Sequence, residues 1–331
     1  MLAGLDGFAQ DHMYSQFFNS PLYLNPALTG QFKADLRITM IYRNQFTSIP
    51  GSFNYISGSI DYNIPKFGGG IGLLFTRSTE GTAYLTVNNI AGTYSYSVGS
   101  EGFVLSFGIQ AGISDRAIDL NKLIFGDQID MTTGYIPGST SLADASQLNN
   151  KFYFDSGAGL NLAVGSFNIG TALQHINMPN ESFTGTPAKL PMRNTSHMSY
   201  RWDLNPFDDK DDDSKSYIIP SVVFYKQSTS QSYSVGFQYK RGGINAGLWY
   251  RSGGISGPSA LVVSLIFDVF INKEGGEKIR AGFSHDVPVS GLNYSNTSGT
   301  TEGSLNYQTT FPSRSGTYHK FEGETRCYDF Y

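Results

Sequence analysis

The feature that most constrains this sequence is a strict alternation of apolar and polar residues, repeated along most of the chain. In residues 36–46 the apolar side chains Leu36, Ile38, Met40, Tyr42 and Phe46 stand at even positions and polar ones at odd positions, with Ile41 as the apolar exception. Residues 103–113 repeat the pattern with Phe, Leu and Ile against Ser, Gly and Gln. Successive side chains of a strand point to opposite faces, so this period predicts strands with one apolar face.

The alternating segments are long and numerous. Ordinary globular strands have about 5–6 residues, whereas most of these have about 9–11 or more, the length that crosses a bilayer at a tilt. We identify fourteen segments, at residues 36–46, 53–63, 69–78, 85–97, 103–115, 152–163, 167–176, 195–204, 217–227, 231–241, 244–252, 259–270, 277–286 and 303–311.

The connections between these segments fall into two classes. Those after even-numbered strands are mostly short, and those after odd-numbered strands include the longest, at residues 116–151, 177–195 and 287–303. Residues 228–230 and 205–216 are exceptions. Short turns at one end and long loops at the other are typical of outer-membrane barrels. We therefore predict an all-β fold, a closed antiparallel transmembrane β-barrel of about fourteen strands, with a soluble sandwich or propeller as the alternative.

Composition supports a protein that faces two environments. Only 15% of the residues are charged, against about 25% in soluble domains, and 14% are aromatic. Many aromatic residues stand near strand ends, including Tyr217, Tyr225 and Trp249, where girdles are expected. The net charge of -4 argues against a nucleic-acid partner, and the single cysteine excludes an intrachain disulfide.

The sequence contains no recognisable catalytic or metal-binding motif. The five histidines have no metal-ligand spacing, and no Ser/His/Asp arrangement is apparent, so we predict no enzyme activity, no cofactor and no metal. The acidic run with Asp208 and Asp211 could attract calcium, but a solvated periplasmic turn is favoured. Arg37, Arg43 and Arg77 stand on polar faces, and these are expected to line the lumen.

Three blocks of sequence resemble a known family. The first is Ser15-Gln-Phe, then Pro21-Leu-Tyr-Leu-Asn-Pro-Ala, then Gly30. The second is Ser284-His-Asp-Val-Pro-Val-Ser-Gly-Leu, followed by Gly303-Ser-Leu-Asn-Tyr; the usual pattern has an acidic residue inside the final strand, whereas Glu302 here comes early. The third is the tail Arg326-Cys-Tyr-Asp-Phe330, similar to a terminal R-C-P-x-F with tyrosine in place of proline. Together they resemble the PorP/SprF family of the type IX secretion and gliding-motility machinery of Bacteroidetes.

The resemblance implies an outer-membrane protein without catalytic residues. It would assist secretion, docking or surface anchoring of a large adhesin, with the adhesin or its C-terminal targeting domain, other secretion components and outer-membrane lipid as partners. A channel for small or hydrophobic solutes is the alternative. The tail and the acidic turn are the candidate partner contacts, namely Arg326, Cys327, Phe330, Asp208 and Asp211.

The chain divides into four parts under this interpretation. Residues 1–9 resemble a signal-peptide remnant cleaved before Gln10. Residues 10–35 are too long for a turn and are expected inside or under the barrel. Residues 36–311 form the barrel, and residues 312–331 form a periplasmic tail. An even strand number places both termini on the periplasmic, short-turn side.

Overall fold

The protein is a closed barrel of fourteen long antiparallel strands, seen in a computed structural model. It describes residues 11–49, 51, 53–64, 68–81, 85–100, 102–119, 123–136, 138–139, 141, 150–182, 187–206, 215–253, 259–272, 277–290 and 294–311. The long strands are β1 Leu36–Gln45, β2 Phe53–Ile64, β3 Gly69–Glu80, β4 Leu85–Ser100, β5 Phe103–Ala117, β6 Lys151–Val164, β7 Phe167–Gln174, β8 Arg193–Tyr200, β9 Ser216–Gln227, β10 Ser230–Arg241, β11 Ile244–Ser252, β12 Ser259–Asn272, β13 Glu277–Ser290 and β14 Thr300–Thr309.

Closure comes from pairing of the first strand with the last. Each strand pairs with its neighbours in sequence, and β1 pairs with both β2 and β14, so that Leu36 stands opposite Tyr62 on one side and Thr309 on the other. Closure leaves no open sheet edge, which a lipid environment would not tolerate. The predicted fourteen strands and their antiparallel closure are confirmed.

The predicted eighth strand is interrupted in the structure. Strand β8 ends at Tyr200, and a two-residue strand, Trp202–Asp203, continues the pairing with β9 after Arg201. The other short elements are a two-stranded hairpin of Ile129–Asp130 and Gly134–Tyr135, the helices α1 Pro21–Leu24 and α2 Tyr294–Thr297, and 3₁₀ turns at Phe17–Asn19, Pro26–Leu28 and Gly126–Gln128. Among the described residues there is no helix with the length and apolar character to span a membrane.

The two faces of the wall have opposite chemistry. Outward positions of the strands carry exposed apolar side chains such as Met40 and Ile113, which are 58% and 62% exposed. Inward positions carry buried polar and charged groups, including Arg37 and Arg43 as predicted. An apolar outer face around a polar interior is the arrangement of a barrel whose outer face contacts lipid.

Four side chains lie on the face opposite to the predicted one. Arg77 is exposed on the outward face of β3, next in the alternation to Phe75. Tyr217, Tyr225 and Trp249 were expected in the girdles, but each is at most 7% exposed and lies inside the barrel. For Arg77 and Trp249 the alternation itself indicates the observed face, since Arg77 continues the outward series that contains Phe75 and Trp249 the inward series that contains Asn245 and Gly247.

The barrel has a short-turn end and a long-loop end. Residues 165–166 and 242–243 are two-residue turns at the short-turn end, where β1 begins and β14 ends. At the other end, the connections between β5 and β6 and between β7 and β8 are the longest. The two-residue connection between β9 and β10 is an exception at the long-loop end, as the sequence indicated.

Candidate functional site: a plugged lumen and the cavity above it

Residues 11–35, here called the plug, run through the lumen from the long-loop end to the short-turn end. The backbone N–H of Asp11 donates to the side chain of Gln227, the last residue of β9. At the opposite end, the N–H of Asp35 donates to the carbonyl oxygen of Thr309. The expected segment inside the barrel is therefore present. Its first described residue, Asp11, lies at the end opposite to the start of β1. Asp11 is therefore not on the short-turn side, where the sequence placed both termini.

Two prolines shorten the path of the plug. Pro21 stands at the start of α1 and Pro26 at the start of a 3₁₀ turn, where proline has a suitable φ and needs no N–H partner. The side chain of Asn25 caps the second turn by accepting from the N–H of Ala27 at 2.9 Å. The motif that carried the family resemblance thus forms two compact turns in the middle of the lumen.

Glycines of the wall make room for the lower half of the plug. A Cβ on Gly108 would collide with the backbone of Pro26 and Ala27, and one on Gly159 would collide with the Asn25 side chain. A Cβ on Gly70 would meet the backbone of Gly30 at 2.5 Å. Close backbone approach is one of the few reasons for a glycine inside a strand, and these glycines define where the plug sits.

Aromatic and aliphatic side chains pack between the plug and the wall. Trp249 stacks on Phe18 at a centroid distance of 5.5 Å and meets Phe17 edge-on. Ile41, the exception in the alternation of β1, packs with Leu22 and Tyr14 of the plug. Apolar residues on the inward face therefore mark places where the wall touches the plug, which a strand pattern shows only as an irregularity.

An Arg–Asp pair holds the lower plug by its backbone. Arg37 donates to both carboxylate oxygens of Asp61, at 2.9 and 2.7 Å. Asp61 also accepts the N–H of Gly30 at 2.8 Å, and Arg37 donates to the Leu28 carbonyl at 3.2 Å. Both charges are buried, and each has backbone partners that offset part of the cost of burial.

A second group, here called the charge cluster, holds the upper plug. It consists of Ser15, Arg43, Arg251, Asp286 and Glu302. The carboxylate of Glu302 pairs with Arg43 and accepts the N–H of Ser15 at 2.7 Å and that of Gln16 at 2.9 Å.

The Ser15 hydroxyl joins the remaining members of the charge cluster. It donates to Asp286 at 2.7 Å and accepts from Arg43 at 3.0 Å and from Arg251. Asp286 in turn accepts from Arg251 at 2.8 Å. Two cations thus face two carboxylates around one residue of the plug, which gives a charge balance among these side chains.

The upper end of the plug carries a third set of charges. His175 lies between Asp11, at 2.6 Å, and Asp155, at 2.9 Å, and Arg193 lies 3.2 Å from Asp11. Burial lowers the pKa of His175, but the two carboxylates outweigh it and raise that pKa to about 9. Burial alone would raise the pKa of Asp11, whereas His175 and Arg193 hold it well below its usual range. The neighbouring His12 has a pKa lowered to about 3 by burial, so it is neutral.

A cavity of about 450 Å³ lies above the plug at the long-loop end. Residues 11–13 form one side of it, and the inward or rim side chains of nine strands form most of the rest. Its polar lining includes Gln45, Gln231, Ser232 and Thr300, and its aromatic lining Tyr55 and Tyr225. A smaller cavity of about 100 Å³ shares Asp11, His12 and Arg193 with it.

The structure brings together charged residues that the sequence did not single out as a site. Arg193, Arg251 and Asp286 were missed. The only signal for Arg251 and Asp286 was a charge on the polar face of a predicted strand, and Arg193 lay in a predicted loop. Glu302 lies inside β14, so the acidic residue of the final strand is present at an early position.

The predicted contacts Arg326, Cys327, Phe330, Asp208 and Asp211 lie outside the described residues. Within the described part of the chain, no group of three or more His, Cys, Asp or Glu side chains could hold a metal.

Comparison with known proteins gives one family and several barrels. The sequence profile of the type IX secretion system membrane protein PorP/SprF matches residues 6–307. No curated protein sequence matches the chain.

Solved structures with a similar arrangement are outer-membrane barrels at low identity. Omp33 of Acinetobacter baumannii has a TM-score of 0.41 at 8% identity, covering 84% of this chain and 98% of Omp33. The toluene transporter TodX of Pseudomonas putida has a TM-score of 0.47 at 10% identity, covering 91% of this chain and 94% of TodX. A deletion mutant of TodX, a monoaromatic hydrocarbon channel, has a TM-score of 0.49 at 11% identity, covering 88% and 94%.

The family assignment rests on the profile match, which covers nearly the whole chain, and agrees with the resemblance seen in residues 15–30, 284–292 and 303–307. The chain belongs to the PorP/SprF family of type IX secretion system membrane proteins.

Proposed function

We propose that this protein is a non-enzymatic outer-membrane barrel that assists secretion, docking or surface anchoring of a large cargo adhesin, and does not conduct solutes. The observation that carries the proposal is the plug. Its residues from Tyr14 to Phe32 are almost all buried, and they contact strands on every side of the lumen. A barrel filled in this way offers a partner its rim and its outer wall in place of a water-filled path.

The orientation follows from general barrel rules. Bacterial outer-membrane barrels have short periplasmic turns and longer extracellular loops. We therefore place the short-turn end in the periplasm and the long-loop end at the cell surface of a Bacteroidetes-type bacterium. The tail of residues 312–331 then begins in the periplasm, where other secretion components could contact it.

Two measurements test this function against the alternative of a solute channel. The first is recovery of the barrel from native outer membrane in mild detergent, where a secreted adhesin or a secretion component is expected to remain bound. The second is conductance of the purified barrel in planar bilayers, where no stable open channel is expected. A steady conductance together with the absence of any bound secretion protein would reverse the assignment.

A further inference from the structure

We propose that the cavity of about 450 Å³ above the plug is a binding site for an extended polypeptide segment of a partner, which enters from the long-loop end and continues the path of the plug. The proposal rests on the proposed function, since it names the site at which a docked partner is held. Its volume lies in the range of about 300–1,000 Å³ usual for ligand sites.

The first argument is that the lumen already binds a polypeptide by its backbone. Wall side chains contact main-chain groups of the plug over its whole length. Gln227 accepts the N–H of Asp11 at 2.8 Å, and Gln174 donates to the Tyr23 carbonyl at 3.1 Å. Asn63 donates to the Phe32 carbonyl at 3.0 Å. These contacts involve the backbone of the plug and not its side chains, so wall side chains of this kind can hold a polypeptide by its main chain.

The second argument is that the cavity continues the same chemistry upward. Its lining has glutamine and hydroxyl side chains, as the wall around the plug does. They are Gln45, Gln231, Ser232 and Thr300. Tyr55 and Tyr225 add aromatic surface against which side chains of a bound segment can pack. Amides that both donate and accept hydrogen bonds match a polypeptide backbone, which presents both kinds of group.

The third argument is the presence of two guanidinium groups beside the cavity. Arg43 and Arg193 line it, and a guanidinium carries five N–H donors and no acceptor, so a ligand with acceptor oxygens complements this lining. Backbone carbonyls supply such oxygens without adding charge to a region where Arg43 and Arg193 are already paired with carboxylates.

Site-specific photocrosslinking in native outer membrane tests this inference. A photoreactive phenylalanine analogue replaces Gln45, which lines the cavity, in the full-length barrel. The matched control carries the analogue in place of Tyr42, which is 44% exposed on the outward face of the same strand. From position 45 we expect polypeptide adducts whose crosslinked peptides map by mass spectrometry to one contiguous segment of a partner. From position 42 we expect no such segment.

Variants that fill the cavity supply the second readout. Ser232→Phe and Ser259→Phe add an aromatic ring from two different strands, and both are checked for folding by heat-dependent migration in gels. Each folded variant is expected to lower the adduct yield at position 45 at least about tenfold, which corresponds to a change of about 1.4 kcal/mol in binding.

Several results would overturn the inference. These are adducts only with lipid or glycan, an adduct yield that the filling variants leave unchanged, and adducts that map only to residues 1–10 of the same chain. If a secretion component still co-purifies in those cases, the cavity is not the docking site but the proposed function stands. If no secretion component co-purifies by any route, the proposed function fails as well.

Discussion

The upper and lower halves of the plug are held by different kinds of interaction, mainly ion pairs in the upper half and steric fit in the lower half. The lower half, residues 20–35, sits against wall glycines, where an added Cβ collides with the plug, and the Arg37–Asp61 pair adds hydrogen bonds to its backbone. The upper half, residues 11–19, packs Phe17 and Phe18 on Trp249 but depends more on ion pairs, in the charge cluster and the His175 group, where removal of one partner leaves a charge. Steric fit cannot be tuned by solvent conditions, whereas ion pairs respond to pH and to the loss of a single carboxylate. We therefore expect the lower half to stay in place when the upper half is released.

The largest effect is expected from Glu302→Ala. The substitution leaves Arg43 buried without its main partner and frees the N–H groups of Ser15 and Gln16, at a cost of about 3–5 kcal/mol. Limited proteolysis of the folded barrel should then cut within residues 11–19 and spare residues 20–35. The matched variant is Glu277→Ala, at the start of β13, where the carboxylate accepts from Thr309. Equal protection of both halves in Glu302→Ala would contradict the comparison.

A smaller but more general effect is expected from Gly108→Val. Its Cβ would collide with Pro26 and Ala27, and overpacking of this kind costs about 1–3 kcal/mol. The plug backbone cannot avoid this collision without losing its contacts with the wall. The midpoint temperature of thermal unfolding should therefore fall, and the barrel should conduct in planar bilayers. Gly92→Val is the control, because the nearest atom to its Cβ is 3.9 Å away. A Gly108→Val barrel that is as stable and as closed as Gly92→Val would show that the glycines do not seat the plug.

The upper half should also respond to pH. The folded pKa of His175 is raised from 6.5 to about 9, so its stabilising effect is complete below about pH 6.5 and is lost as the pH rises through 9. Asp11 and Asp155 contact the ring and Arg193 contacts Asp11, with His12 and Glu181 nearby. Proteolytic release of residues 11–13 should therefore increase between pH 7 and pH 10.

The size of this pH effect is on the order of 1 kcal/mol, because the side chain of Asp11 is 26% exposed and solvent screens the pair. The variant His175→Gln should flatten the dependence between pH 7 and pH 10. An identical pH dependence of proteolytic release in both proteins would show that His175 does not cause the pH effect.

The smallest effect is expected from Gln227→Ala. It removes one hydrogen bond to the N–H of Asp11, with a net value of about 0.5–1.5 kcal/mol. Hydrogen exchange of the Asp11 amide should become faster while that of the Gly30 amide, bound to Asp61, stays unchanged. Faster exchange at Gly30 would mean that the two halves of the plug open together.

Much of the barrel could be predicted from the sequence because strand patterns are local. Twelve of the fourteen predicted segments begin within one residue of the observed strand, and the inward positions of Arg37 and Arg43 followed from alternation. Arg77 was placed on the wrong face because it stands near the end of β3, where polar residues occur on both faces. Trp249 was placed in a girdle because nothing in its own strand indicates that Phe18, far away in sequence, stacks on it.

The sequence by itself determined the strand number, the two faces of the wall and, through residues 15–30, the family. Each of these depends on residues close together in the chain. Only the tertiary structure decided that the lumen is filled and how the filling is held, because those contacts join distant residues. Ser15 and Glu302, which are 287 positions apart, meet only after the barrel has closed around the plug. Closure also places their charges out of water, and that burial is why the upper plug depends on so few side chains.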